Sequence, residues 1–509
     1  MFKDEVRDKV WNDIRQHDVR AFAKQLTANV FTEAASRAEV RIGRSALNLV
    51  NLVWLAIAKA MHHSQNFAFV LTTTLKLLED QENFYSTPLG KQKKKAQGSN
   101  QKGKKGKGGK PSKHCPYRDD PTEVSEEAFV QARQRMPLSF WMVLLTVLAE
   151  RFQQDHPGHL KFKGFRLLAM DGTTLTLPKD DRLSKHYGIP KNSSRKKAAP
   201  QARMVMLTLP GVRIPIAYEV SPLRQSELES AGRLMQHVQA NDLALIDRGF
   251  ISYGVFWQFQ HRGAYFGTRL KKNIKYKKRK RLGPQDWLVE WAPKDSAGNW
   301  KNLPRSMQLR VIHYQFPGFR GSAIITNVLD PKKLSRDDWV RLAQDCDKKG
   351  KFSPGLYHRR WEIETSFREL KVILAAKSLR SHTPASLEYE LAGRVVYYLL
   401  IRWLIVEAAA ERGIDPLRIS FTNAVRELEQ MRDTLATSSP CWVQRMLLPR
   451  LLARIGSCLV PLRPGRHYPR PKDTQAKDRG HGLKQAASKL SNRINTKRKT
   501  RKQKRRHKA

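Results

Sequence analysis

The chain has 509 residues, a formal net charge of +49 and a pI near 10.4, with 40% of its residues hydrophobic. That length allows two or three domains with cores of their own, and the apolar content excludes disorder throughout. A cationic surplus of this size points to nucleic acid as partner, with a membrane surface as the alternative.

Residues 1–89 read as helical, with LNLVNLVWLAIAKAM and FVLTTTLKLLED carrying apolar periodicity and few breakers. The opening MFKDEVRDKVW is charged and lacks the apolar stretch of a signal peptide. Segment 90–115 holds ten lysines and no acid among Gly and Gln, the composition of a flexible cationic linker. It is either a non-specific grip on phosphates or a solvated spacer. Residues 116–160 are predicted helical, with Ser125 as an N-terminal start and Pro137 as an interruption, and serve either to bind DNA or as scaffold.

From residue 161 the period changes. FRLLAMDGTTLTL, ARMVMLTLP and VRIPIAYEV read as strands, SELESAGRLMQHVQ as a helix, LALI as a strand and SYGVFWQFQHRG as a helix. This succession predicts an α/β fold with a mixed sheet, its first part over 161–265. About 115 residues separate Asp247 from Glu364, far more than a strand-to-helix connection needs. Most of that stretch, 266–330, reads as a β-rich insertion, and 331–378 as the second part of the core. Residues 379–462 are predicted helical and are a candidate dimer interface. Within them GRVVYYLLIRWLIVEAAAER (393–412) approaches the apolarity of a membrane span. Arg402 and Glu407 interrupt it, so a buried core helix is expected and no membrane segment. Residues 463–509, with 18 Lys or Arg against two Asp, read as a disordered basic tail. The four cysteines are scattered without metal-ligand spacing, which fits a reducing cytoplasm.

Three acids stand out. Asp171 follows FRLLAM and Asp247 follows LALI, the carboxyl ends of apolar strands, where open α/β sheets place their ligands. Each taken alone is as well explained as a turn aspartate. Glu364 lies in YHRRWEIETSFRELK (357–371). At 100° per residue, Tyr357, Arg360, Glu364 and Lys371 share an arc of roughly 60° beside the apolar stripe of Leu356, Ile363, Phe367, Leu370 and Leu374. Glu362 and Glu369 point the other way. An Arg360–Glu364 salt bridge at i,i+4 is the plain explanation of that pair. Three carboxylates in a protein of this charge can instead hold two divalent ions about 3.5–4 Å apart for phosphodiester chemistry. Hard oxygen donors favour Mg²⁺, with Mn²⁺ as substitute.

At these residues the chain resembles the bacterial insertion-sequence DDE transposases of insertion-sequence family four. The resemblance rests on MDGTTLTLP, PQARMVMLTLPGVRIPIAYEV, LALIDRGFISYGVF and YHRRWEIETSFRELK, the last of which fits the family's Tyr-x2-Arg-x3-Glu-x6-Lys pattern in full. It covers roughly residues 120 to 430. It implies an RNase H-like catalytic core interrupted by a β-rich insertion, with helical regions at both ends. It implies that Asp171, Asp247 and Glu364 bind the catalytic metals, and that Tyr357, Arg360 and Lys371 contact DNA near the element's end. Water would cut the phosphodiester to free a 3′-OH, which then attacks target DNA or the opposite strand. The substrates would be the terminal inverted repeats and the target, held by a homodimer in the bacterial cytoplasm at the nucleoid. Some relatives carry a Trp that stacks on a flipped base at the start of the strand before the pattern; here that position is Ser322. The alternatives are an RNase H-like nuclease or resolvase without strand transfer, and a basic DNA-binding protein without turnover.

Overall fold

The computed structural model describes residues 21–42, 47–62, 125–190, 198–292, 303–315, 321–341, 355–376, 379–438 and 440–461. The apolar run FVLTTTLKLLED, the lysine-rich segment 90–115 and the tail 463–509 lie outside the described residues. Two compact units divide the chain, residues 1–314 with 322–461, and residues 315–321 with 462–509. All elements below belong to the first.

Helices come first in the chain. They are α1 (Ala28–Arg37), α2 (Leu49–Met61), α3 (Glu126–Arg135) and α4 (Leu138–Asp155). Ser125 does start α3, its hydroxyl accepting the Ala128 N–H at 3.1 Å. Pro137, which has no N–H, separates α3 from α4. The inner face of α4 is taken up by core residues, among them Phe140, Trp141, Leu144 and Leu148.

The sheet follows. Its strands are β1 (Lys161–Phe162), β2 (Phe165–Thr176), β3 (Gln201–Leu209), β4 (Ile214–Pro222), β5 (Asp242–Ile246) and β6 (Tyr265–Arg269), then β7 (Lys277–Gly283), β8 (Asp286–Trp291), β9 (Met307–Tyr314) and β10 (Ser322–Thr326). Helices α5 (Asp181–Tyr187), α6 (Glu227–Leu234) and α7 (Tyr253–His261) connect them. The order is β4-β3-β2-β5-β6-β10-β9-β8-β7. The β2–β3–β4 meander is antiparallel, while β5 and β6 add parallel to β2 and to each other. That is an RNase H-like sheet. The apolar runs that read as strands are the strands, because a strand covered on both faces must be apolar along its length. The insertion does not form a layer of its own. Strand β10 pairs antiparallel with β6, and β9, β8 and β7 carry the same sheet onward. The core's fifth strand β6 crosses the 265/266 boundary expected from sequence, because Tyr265–Arg269 pairs with β5 on one side and β10 on the other.

After the insertion come α8 (Arg336–Val340), α9 (Trp361–Arg368), α10 (Pro384–Arg412), α11 (Phe421–Thr437) and α12 (Leu448–Ser457). Helix α10 runs through the main core against α2, α4, α11, α12 and β4. It contains the 393–412 run and is buried along most of its length, as expected. None of the described helices is long and apolar enough to cross a membrane. A second, smaller core, with Leu167, Leu245, Ile324, Trp339, Leu356 and Tyr357, covers the other face of the central strands.

Candidate active site

Strand pairing brings the two aspartates together. Parallel β2 and β5 match Met170 with Ile246, so Asp171 and Asp247 are the next residues on adjacent strands. Their environments differ. Asp171 is not a turn residue: β2 continues to Thr176 because β3 pairs with it, and Asp171 lies opposite Met206. What ends near Asp171 is the pairing with β5 and the full burial of the strand. Asp247 does cap a 3₁₀ turn, accepting the Gly249 N–H at 3.0 Å, and faces the site as well.

Glu364 comes from the first turn of α9, which packs on β2. Arg360, at the end of the preceding 3₁₀ turn (Leu356–Arg360), stands among the three acids. Its guanidinium donates to Asp171 Oδ2 and to Glu364 Oε1, each at 2.8 Å, and lies 3.8 Å from Asp247 Oδ1. The expected i,i+4 bridge therefore exists, but as one arm of a three-way contact. Arg360 is 7% exposed, Asp171 15%, Asp247 36% and Glu364 40%, so the cluster is dry at its base and wet at its mouth. Burial pushes the Asp171 carboxyl up to about 6 against the pull of Arg360, and the charges of Asp247 and Glu364 add to the rise.

The segment is not one regular helix. It passes from the 3₁₀ turn through α9 into a π turn (Glu369–Ile373), closed by the Leu374 N–H to the Glu369 carbonyl at 3.1 Å. The even 100° count therefore fails at both ends, and the four residues of the pattern separate. Lys371 lines a cleft of about 520 Å³ with Asp171, Asp247 and Glu364, and its ammonium donates to Thr173 Oγ1. Tyr357 is buried in the second core, its ring centroid 6.0 Å from the Arg360 guanidinium carbon. Tyr357 thus lies behind Arg360, outside the residues that line the cleft.

Glu369 does turn away from Glu364, as the helical count requires, but into the protein. It is 2% exposed and accepts hydrogen bonds from Tyr398 Oη (2.9 Å), Arg213 Nη1 (2.9 Å) and Arg402. Arg213 also reaches Glu362 at 2.5 Å. Arg402, which interrupts the apolar run of α10, is thereby the internal counter-charge of the Glu364 helix.

Other residues of the site are less visible in sequence. Thr173 shares the Asp171 face by strand alternation, and Arg368 lines the cleft. Gly172 makes room for Glu227, the first residue of α6, since a Cβ at position 172 would lie 2.9 Å from Glu227 Oε1. Arg203 stands 3.4 Å from that same oxygen. Ser322 begins β10 and accepts from Arg269 Nε at 3.2 Å. Trp291 is buried against Tyr253 and Phe256, at 5.4 and 5.3 Å between centroids.

The donor set fits a hard divalent cation in kind: three carboxylates converge on one compact positive group, with one carboxyl raised by crowding and burial. As placed they surround Arg360, and among the described residues no group of three His, Cys, Asp or Glu is close enough to hold a metal ion.

An RNase H-like sheet with carboxylates on two central strands and on the flanking helix is an arrangement suited to phosphodiester chemistry, and known proteins resemble it. The family described as "Transposase DDE domain" matches residues 163–400. The transposase InsG for insertion sequence element IS4 of Escherichia coli (strain K12) is 26% identical over 354 residues, 68% of this chain and 76% of that protein. Among solved structures, a cryo-EM structure of piggyBac transposase in a synaptic complex with hairpin DNA aligns over 91% of this chain and 90% of its own, at 9% identity and a TM-score of 0.37. Residues 163–400 are thus similar to the transposase DDE domain, and over two thirds of its length the chain is similar to a transposase of an insertion sequence. It is a DNA transposase, of a family that works with divalent metal ions.

Proposed function

We propose that Asp171, Asp247 and Glu364 hold two Mg²⁺ ions, with Mn²⁺ as substitute, and that the enzyme cuts at the ends of its insertion sequence and transfers the 3′-OH ends into target DNA. The observation that carries this reading is the convergence of the three acids, which line an open cleft, on Arg360 buried beneath them. Divalent ions held by these three carboxylates would supply Lewis-acid charge for the phosphodiester. The protein supplies position. Strands β2 and β5 fix the two aspartates side by side, and α9 brings Glu364 across from them. Lys371, at the cleft wall, is placed to meet a phosphate as a point charge. With cations on the acids, Arg360 would be free to meet a DNA phosphate, and Tyr357 would support it from behind. Two element ends require two active sites, so the working unit is a homodimer, with residues 379–462 as its candidate interface. Residues 161–269 and 331–378 form the catalytic core, and the strands between them an insertion. Ser322 offers no ring on which a flipped base could stack, so hairpin formation by base flipping at that position is not proposed.

The test uses the purified full chain and a plasmid carrying its gene with native flanks. Wild type is expected to give Mg²⁺-dependent cut ends and joined products, and Glu364→Gln neither. Cleavage without joining would instead identify a nuclease. Equal cleavage by wild type and Glu364→Gln would remove Glu364 from the site.

A further inference from the structure

We propose that the β7–β8 hairpin is a second DNA contact, a clamp on the duplex phosphates well away from the catalytic acids. This rests on the transposase reading for its partner, and on the hairpin's own charge and position for its argument. Nine of the residues from Arg269 to Arg281 are Lys or Arg, and no Asp or Glu falls between Asp247 and Asp286. Within β7, Lys277, Lys278, Arg279, Lys280 and Arg281 are consecutive and all exposed. A strand alternates its side chains between two faces, so cations project from both.

The two acids of the hairpin do not balance them. Asp286 is buried and committed to Arg310 at 2.8 and 2.5 Å. Glu290 pairs with Arg279 and accepts from Ser306 Oγ at 2.6 Å. Lys277, Lys278, Lys280 and Arg281 are left as surplus charge. Trp287 on β8 lies under two of them, its ring centroid 4.5 Å from Lys278 Nζ and 5.9 Å from the Arg281 guanidinium carbon. The ring steadies these side chains without neutralising them.

Among the described residues, β7 is also the outermost strand of the sheet, with no strand on one of its edges. Lysine on an edge strand guards against edge-to-edge association, which one or two charges accomplish. Five in succession exceed that need, and their mutual repulsion costs stability unless a polyanion lies against them. Six inter-strand steps at roughly 4.8 Å place β7 on the order of 29 Å from β2. At roughly 3.4 Å per base pair, a duplex cut at the acids and lying along the sheet meets β7 about eight base pairs from the scissile phosphate.

The decisive experiment measures DNA binding without catalysis, in EDTA, so that its failure is separate from any failure of cleavage. The full chain carrying Lys277→Ala, Lys278→Ala, Lys280→Ala and Arg281→Ala is compared with wild type on a 30-base-pair end duplex across a salt series. The slope of log K against log salt should fall by roughly two to four, while binding to a duplex ending six base pairs from the cleavage point should be unchanged. A charge-preserving variant, Lys277→Arg, Lys278→Arg and Lys280→Arg, should keep the wild-type slope. Duplexes extended only into the element, only into the flank, or of unrelated target sequence identify which DNA is held, and loss on any one supports the clamp. An unchanged slope on all three overturns it. So does an unchanged slope accompanied by self-association, which would assign the lysines to edge protection alone.

Discussion

The helix segment 356–373 is flanked by two carboxylate–guanidinium clusters that look alike in composition and differ in balance. Toward the cleft, three acids share one guanidinium, Arg360, and two of them are more than a third exposed. Toward the interior, Glu362 and Glu369 meet Arg213 and Arg402, and Arg402 is fully buried. The interior cluster matches two acids with two guanidinium groups and is buried at its Glu369–Arg402 end. A balanced buried network has one low-energy arrangement, and breaking it is costly. The cleft cluster sets three acids against the one guanidinium they share, at a place that water and cations can reach. That exposed cluster is the proposed binding site, and the paired network behind it anchors the helix segment.

Substitutions should separate the two clusters. The largest effect is expected from Glu364→Gln, which should reduce DNA cleavage on the order of a thousand-fold or more with little change in thermal stability. Next is Glu369→Ala. It strands Arg402 and Arg213 in the interior and should cost about 3–5 kcal/mol, read as a drop in the denaturant midpoint. If Glu369→Ala were as stable as wild type, the contrast between the clusters would fail.

A smaller effect sharpens the comparison through pH. Asp171 ionises at about 6 in the folded protein against an ordinary value of 3.8, so its charge opposes folding. The penalty is absent below the unfolded value, grows between the two, and is complete above about 6. Metal-free Asp171→Asn should therefore melt higher than wild type at pH 7.5, with the gap closing near pH 4. The same proton must leave before a cation binds, so the apparent Mg²⁺ affinity of wild type should fall as the pH drops through 6. The smallest effect is expected from Lys371→Ala, which should weaken DNA binding and reduce the salt slope by about one.

Much of the site was legible along the chain because its signals are local. Apolar runs mark buried strands, the acids follow two of them, and the spacing of Arg360, Glu364 and Lys371 keeps them on the cleft side of the helix. Glu369 was assigned to the far side from the same count. Tyr357 shows the limit of that count, since a 3₁₀ turn and core packing take it behind Arg360.

Sequence by itself determined the charge that selects a polyanion, the elements of the α/β core, and the residue types of a hard-cation site. It did not determine who pairs with whom. Asp171 and Asp247 are neighbours only because β5 docks parallel on β2. Arg402 read as an interruption in an apolar helix until folding set it against Glu369. The insertion read as β-rich without saying what its strands pair with, and the pairing of β10 with β6 makes it an extension of one sheet that ends in a cationic edge. Backbone preference is fixed by near neighbours, whereas counter-charges and strand partners come from residues tens to hundreds of positions away, and only the closed chain brings them within reach.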